Sequence, residues 1–236
     1  MRAVSLAPSA TAAVAALGAT DRLVGVTNHC DADAPAVGGW LNPDDDRVAE
    51  LDPDVVLTSD ALQTEIRDDL RDRGFAVHHT APETLDEVLD SFAAIGDAVG
   101  LAERGERLEA ESRERVARVR ERAPADRPVV YCEEWSDPPM AAGNWVPDVV
   151  EAAGGRYPFR DAGERSGEVD ADEVRAAGPD HAVVHVCGKG DSTDADPAAR
   201  WGLDATVHVV DDSLLNQPSP RLLDGLERLA DLLRDA

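Results

Sequence analysis

Lysine is almost missing from this chain. Of 23 Lys and Arg side chains only Lys189 is a lysine, and the 23 face 48 Asp and Glu, a formal charge of −25 over 236 residues. No stretch is basic enough to displace counterions from a phosphate backbone, which excludes nucleic acid as a partner and argues equally against anionic membrane surfaces. The acids run through the whole length and alternate with well-spaced hydrophobic residues, so they are a folded surface and not a disordered tail. Such a surface stays hydrated in concentrated salt, where screening acts within about 3 Å at 1 M and self-repulsion is removed. The expectation is a halophilic acidic protein.

Cysteine is scarce as well. Cys30, Cys132 and Cys187 are odd in number and widely spaced, with no CxxC. They form neither a disulfide framework nor a structural zinc site. Long apolar runs are absent: none approaches the ~18–20 residues that span a bilayer, so membrane insertion is not expected. The opening MRAVSLAPS has no apolar signal region. The chain as written is expected in the cytoplasm, or outside it if an upstream start encodes a signal. Enzyme signatures are missing too: no GxSxG, HExxH, P-loop or GxGxxG occurs. Aromatics make up only 4% of residues, so the position of each carries weight.

What is present is an alternation of strands and helices. Strands are predicted at 2–6, 23–26, 54–58 and 75–79, with helices at 10–17, 44–51 and 62–73 between them. Thr84-Leu-Asp-Glu87 is a capping box opening a helix with a wide apolar face, Leu85, Val88, Leu89, Phe92, Ile95 and Val99. After the bridging stretch 101–122 the alternation resumes. Strands are predicted at 128–132, 180–186 and 206–210, and helices at 146–153, 170–177, 198–201 and 219–233, with 133–145 and 156–167 irregular. This pattern implies α/β architecture with parallel sheets.

The bridging stretch LAERGERLEAESRERVARVRER has Glu103–Arg107, Glu109–Arg113, Glu111–Arg115 and Glu114–Arg118 at helical i, i+4 spacing. Its apolar stripe is thin: Leu101, Gly105, Leu108, Ser112, Val116 and Val119. Too narrow for a core helix, it reads as a link between two bodies, roughly 33 Å long. The organisation expected is an N-terminal lobe over 1–99, a backbone helix over 100–123 and a C-terminal lobe over 124–236, two Rossmann-like lobes with a ligand cleft between them.

Ligands in open parallel sheets bind beyond the carboxyl ends of strands. The segments predicted there are 7–11, 27–43, 59–64, 133–145, 187–194 and 211–218. They hold Trp40, Trp135 and Trp145, which points to a large, flat or apolar ligand. His29, Cys30 and Cys187 lie in the same segments and leave a metal-handling enzyme as one alternative. His78, His79, His181, His185 and His208 fall on strands or their ends and read as structural. Lys189, between Gly188 and Gly190, reads as a loop tip.

Several strings resemble a known family. RAVSLAPSATAAVAALGATDRLVGVTNHCD, LDPDVVLTSD, DPPMAAGNWVPDVVEAAGG and QPSPRLLDGLERLADLL are similar to segments of the class III solute-binding proteins of ABC importers, the helical-backbone metal receptors. The cobalamin branch is the closest match, through VTNHCD and AGNWVPDVVEAAGG. The resemblance implies two lobes joined by one rigid helix. It also implies non-enzymatic binding of a corrinoid such as cobalamin as ligand, with no intrinsic cofactor and no resident metal. Iron-siderophore and haem binders in the same superfamily are the alternative. The implied ligand-binding residues are Pro8, Ser9, Asn28, His29, Cys30, Trp40, Asp60, Trp135, Gly143, Asn144, Trp145, Cys187, Gly188 and Asn216. Family members that dock on an ABC permease present one glutamate per lobe. Glu65 corresponds to the first, and Asn216 occupies the second position, so a permease partner and a free-standing monomeric binder both stay open.

Overall fold

A computed structural model describes residues 1–124 and 126–234. The chain forms two compact units, Met1–Pro82 with Leu89–Ser112, and Glu83–Val88 with Arg113–Ala236.

The first unit is laid out as β1 (Ala3–Ser5), α1 (Pro8–Ala16), β2 (Leu23–Val26), α2 (Asp45–Glu50), β3 (Val55–Ser59), α3 (Thr64–Asp72) and β4 (Val77–Thr80). The four strands pair in parallel in the order β2-β1-β3-β4. The central strands β1 and β3 are buried on both faces, which is why they are apolar at consecutive positions, while the edge strand β4 is half-buried. Ala3, Val55 and Leu57 point into a core with Ala10, Val14 and Val99. Val4 and Val56 point the other way, into a core with Val48 and Leu70. Pro8 opens α1, where its missing N–H costs nothing, and Asp44 caps α2 by accepting from Arg47 N at 3.1 Å.

Two longer helices follow, α4 (Leu85–Ala98) and α5 (Ala102–Arg120). The division between units falls inside each, between Val88 and Leu89 and between Ser112 and Arg113. Within the first unit, α4 and α5 touch backbone to backbone. A Cβ built on Gly96 would lie 2.5 Å from Gly105 Cα, and one on Gly105 2.9 Å from Ala93 O. The buried side of α5 is the thin stripe read from the sequence: Gly105, Ser112, Val116 and Val119 are buried, Leu101 and Leu108 half-buried.

The second unit starts with the first turn of α4, where the capping box is formed. Glu87 N donates to Thr84 Oγ1 at 3.3 Å, and Thr84 N to Glu87 Oε2 at 3.1 Å. The later part of α5 is held by charge. Arg115 donates to Glu227 at 2.8 and 2.9 Å and to Asp224 at 2.7 Å; Arg113 pairs with Asp86 at 3.1 Å and Arg118 with Glu114 at 3.9 Å. The remaining elements are β5 (Val130–Ser136), β6 (Pro139–Ala141), α6 (Val146–Ala152), β7 (Gly167–Glu168), α7 (Ala171–Ala177), β8 (His181–Val184), α8 (Pro197–Trp201), β9 (Thr206–Val209) and α9 (Leu222–Arg234). Asp170 caps α7, accepting from Asp172 N and Glu173 N at 2.9 Å. Leu222, Leu223, Leu226, Leu229 and Leu233 of α9 are all buried.

This sheet corrects the expected parallel one. Its order is β7-β6-β5-β8-β9; β5, β8 and β9 are parallel, while β6 and β7 are antiparallel additions. The stretch read as irregular after residue 132 is instead the continuation of β5 into a hairpin with β6. Three residues are too few to display alternation, and Pro139 at the first position of a strand is tolerated though it reads as a breaker.

Candidate functional site

All strands of the first sheet run the same way, so Ser5, Val26, Ser59 and Thr80 end on one edge. Pro8 is half-buried there and Ser9 buried, both in the first turn of α1. The long segment after β2 is pinned by a bridge from Val26 to Ala36 and by Asn28 N donating to Gly38 O at 2.9 Å. It exposes Asn28 and His29 and leaves Trp40 half-exposed. Cys30 turns inward, with Sγ 3.2 Å from Thr27 Oγ1 and 3.9 Å from Ser5 O. Asp60 is in the left-handed region (φ 79°) and accepts from Leu62 N at 2.8 Å, which fixes the turn into α3. Glu65 is exposed on the first turn of that helix.

In the second sheet the edge at the carboxyl ends of β5, β8 and β9 carries Trp135, 45% exposed, whose Nε1 donates to Asp137 O at 2.8 Å. The ring is thus held by its own hairpin and stays nearly half exposed. Cys187 and Gly188 follow β8 and are exposed. Gly188 N and Gly190 N donate to the carboxylate of Asp212 at 2.9 and 2.8 Å, leaving Lys189 as the exposed tip of a tied loop. Although the residue is exposed at the surface, partial desolvation of its sulfur raises the Cys187 thiol above its ordinary range, with Asp212 and Glu134 adding to it.

Ala142 N donates to Cys132 O at 3.0 Å, level with the last residues of β8, and Gly143, Asn144 and Trp145 follow directly. Gly143 is buried, and a Cβ there would meet Glu164 O at 2.3 Å. Asn144, at φ 52°, makes backbone bonds with Glu164 and Gly163. Trp145 is 5% exposed and donates from Nε1 to Leu215 O at 2.8 Å, a core residue with its polar atom satisfied. A tryptophan at a helix start reads the same in sequence whether its ring points to solvent or to the core.

Asn216 is engaged inside the unit. Its Oδ1 pairs with His185 Nδ1 and its Nδ2 donates to His185 O at 3.1 Å. His185 is fully buried and its Nε2 has no hydrogen-bond partner among the described residues. Burial lowers its basicity, opposed by Glu134. Glu134 in turn accepts from Ser166 Oγ at 2.5 Å. Among the described residues no group of three or more His, Cys, Asp and Glu side chains is arranged to hold a metal ion.

Two buried polar residues, whose structural role the sequence does not show, organise these edges. Gln63, wholly buried, bonds three segments at once. Ser59 N donates to its Oε1 at 2.8 Å, and its Nε2 donates to Leu6 O at 3.0 Å and Trp40 O at 2.7 Å. Glu133, also wholly buried, accepts from Nη1 and Nη2 of Arg200 at 2.7 and 3.0 Å, from Tyr131 OH at 3.0 Å and from Ser136 Oγ at 2.7 Å. Burial, with Glu133 alongside, keeps the Tyr131 phenol protonated far above its ordinary range. The only sequence signal was polarity at strand or turn positions otherwise apolar.

A model of the periplasmic binding protein family matches residues 4–199. The chain belongs to that family. Among its relatives, the vitamin B12-binding protein of Vibrio cholerae is 26% identical across the whole chain and 90% of that protein. The cobalamin-binding protein of Halobacterium salinarum is 27% identical across 97% of this chain and 68% of that one. In three dimensions the chain is similar to the periplasmic vitamin B12 binding protein BtuF of Vibrio cholerae, with a TM-score of 0.81, 24% identity and coverage of 99% and 96% of the two chains. It is similar to the periplasmic heme-binding protein RhuT of Roseiflexus sp. RS-1 to the same degree: TM-score 0.81, 26% identity, 99% and 98% covered. The α/β fold with its two units is therefore the family fold, and the family is one of binding proteins. Among the described residues no helix is long and apolar enough to cross a membrane.

Proposed function

We propose that this chain binds a corrinoid, of which cobalamin is the natural candidate, without chemical conversion. The observation that carries this reading is the full-length similarity to the B12-binding and cobalamin-binding relatives. The carboxyl edges of the sheets support it. In the first unit Trp40 offers apolar surface suited to a flat macrocycle, with Asn28 and Asp60 for polar contacts to its amide fringe, and in the second the partly exposed Trp135 offers apolar surface of its own. Asn216 is spent on His185 and carries no charge, which favours a free-standing binder over one docked on a permease through a glutamate on each lobe. Glu65 on α3 is left as the one exposed candidate for such docking.

A haem or iron-siderophore ligand is the second reading, favoured by the equal likeness to RhuT and by His29, an exposed imidazole at an edge where metal ligation by one side chain is sterically open. Titration with cyanocobalamin and with haemin in molar salt, followed by tryptophan fluorescence and calorimetry, separates the two. Saturable one-to-one binding of the corrinoid, with weaker haemin binding, is the expected result. No corrinoid heat or quenching up to roughly 100 μM ligand, a ceiling of about −5 kcal/mol, would sink the proposal.

A further inference from the structure

Gln63 spends both of its donors, and its oxygen, on backbone groups at or beyond the strand ends. A primary amide has two N–H donors, and both go to carbonyls, Leu6 O and Trp40 O, while Oε1 takes the N–H of Ser59. Leu6 directly follows β1, Trp40 lies in the segment after β2, and Ser59 is the last residue of β3. A glutamine with no exposed surface and three long-range or turn-closing bonds is costly to place anywhere that does not need it, because each bond lost leaves a buried polar group unpaired. What it fixes is apolar and exposed. Leu41, beside Trp40, is 50% exposed and Leu62, beside Gln63 itself, is 59% exposed. Exposed leucines on both sides of one buried bond have no role in the core of the unit.

We propose that Gln63 is the positioning residue of the first unit's ligand edge, clamping Trp40, Leu41 and Leu62 into one apolar lip that receives a flat macrocycle. This rests on the corrinoid reading above for the ligand and on the hydrogen bonds alone for the clamp. Gln63 does not touch ligand; it removes the ordering cost that a loop as long as 27–43 would otherwise bring to binding.

The test uses the full chain and two readouts. Gln63→Glu keeps the acceptor for Ser59 N but loses both donors and sets a carboxylate against two carbonyls; Gln63→Leu loses all three bonds. Both are expected to speed amide exchange in peptides covering 38–42 by about tenfold and to weaken cyanocobalamin by about tenfold or more. Trp40→Ala is expected to weaken the same ligand, and Gln63→Glu in that background to add little, because the clamp acts through Trp40. Should the Gln63 variants not fold, Leu41→Ser with Leu62→Ser, both at the surface, must still weaken the ligand. Unchanged exchange at 38–42, or losses that multiply between Gln63→Glu and Trp40→Ala, overturn the clamp. A wild type that binds no corrinoid overturns the ligand, and the exchange comparison then judges the clamp by itself.

Discussion

Single buried polar side chains decide how the edges of this molecule are held, and Glu133 is the most exposed to test. Its carboxylate is wholly buried, yet it meets a guanidinium on two nitrogens, a phenol and a hydroxyl. Taking away one partner of a buried pair costs about 3–5 kcal/mol, since the remaining charge is stranded. Arg200→Ala should fall near the low end, because the guanidinium is partly exposed and water can enter where it was. Arg200→Met with Glu133→Gln should recover most of that loss, the charge having gone with its partner. Urea midpoints measure both, and a single variant as stable as the parent would show that the pair is already solvated. Neither Glu133 nor Gln63 was legible in the sequence, for the same reason. A glutamate on a strand and a glutamine at a helix start have no period or motif, and only the fold tells which carbonyls and nitrogens surround them. The burial of Trp145 is illegible for a related reason: its scarcity points to a ligand surface, while its 5% exposure and its bond to Leu215 O depend on the fold around it.

At the scale of elements much more could be read. The strands and helices of the first unit follow from consecutive apolar runs and Gly or Pro stops, and the capping box at Thr84 forms as written. The hairpin of β5 and β6 was hidden because a three-residue strand beginning in proline leaves no pattern. The thin stripe of α5 was legible, though the reason for one of its members was not. Gly105 lies where α4 and α5 meet at backbone distance, with Gly96 opposite. Gly96→Ala gains roughly 1 kcal/mol of helix propensity. It also forces a methyl to 2.5 Å from Gly105 Cα, a backbone atom that cannot rotate away. Overpacking of this kind costs about 1–3 kcal/mol, so the variant should be less stable than the parent despite its better helix former. Thermal unfolding is the measurement, and a raised midpoint would mean that the helices part at no cost.

For the molecule as a whole, the two charge systems titrate in different windows. Five histidines, His78, His79, His181, His185 and His208, are less basic than in the unfolded chain, in each case chiefly through burial. Asp97 opposes the shift at His78, Asp180 at His181 and Glu134 at His185, while Arg67 and Arg71 deepen it at His79 and His181 deepens it at His208. Below about pH 6.5 the unfolded chain therefore binds protons that the folded one does not, and stability falls as pH falls, by at most about 1.4 kcal/mol per pH unit for each proton of difference. The carboxylates Asp68, Glu87, Asp211 and Glu227 are held below their usual range by hydrogen bonds, from Arg67, the Glu83 and Thr84 amides, Ser213 and Arg115 in turn. Their loss begins only below about pH 4.3, where unfolded carboxylates start to take up protons. Between those limits the acids stay charged and the net charge of −25 is little relieved. Self-repulsion can be removed separately, by molar salt that shortens screening to about 3 Å. In molar salt the unfolding midpoint should thus decline from pH 7 to pH 5, and replacing the stacked pair His181 and His208, 5.2 Å apart, by phenylalanine should flatten part of that decline. A midpoint that holds constant or rises over this window would mean that the histidines take up protons in the folded state as readily as in the unfolded one.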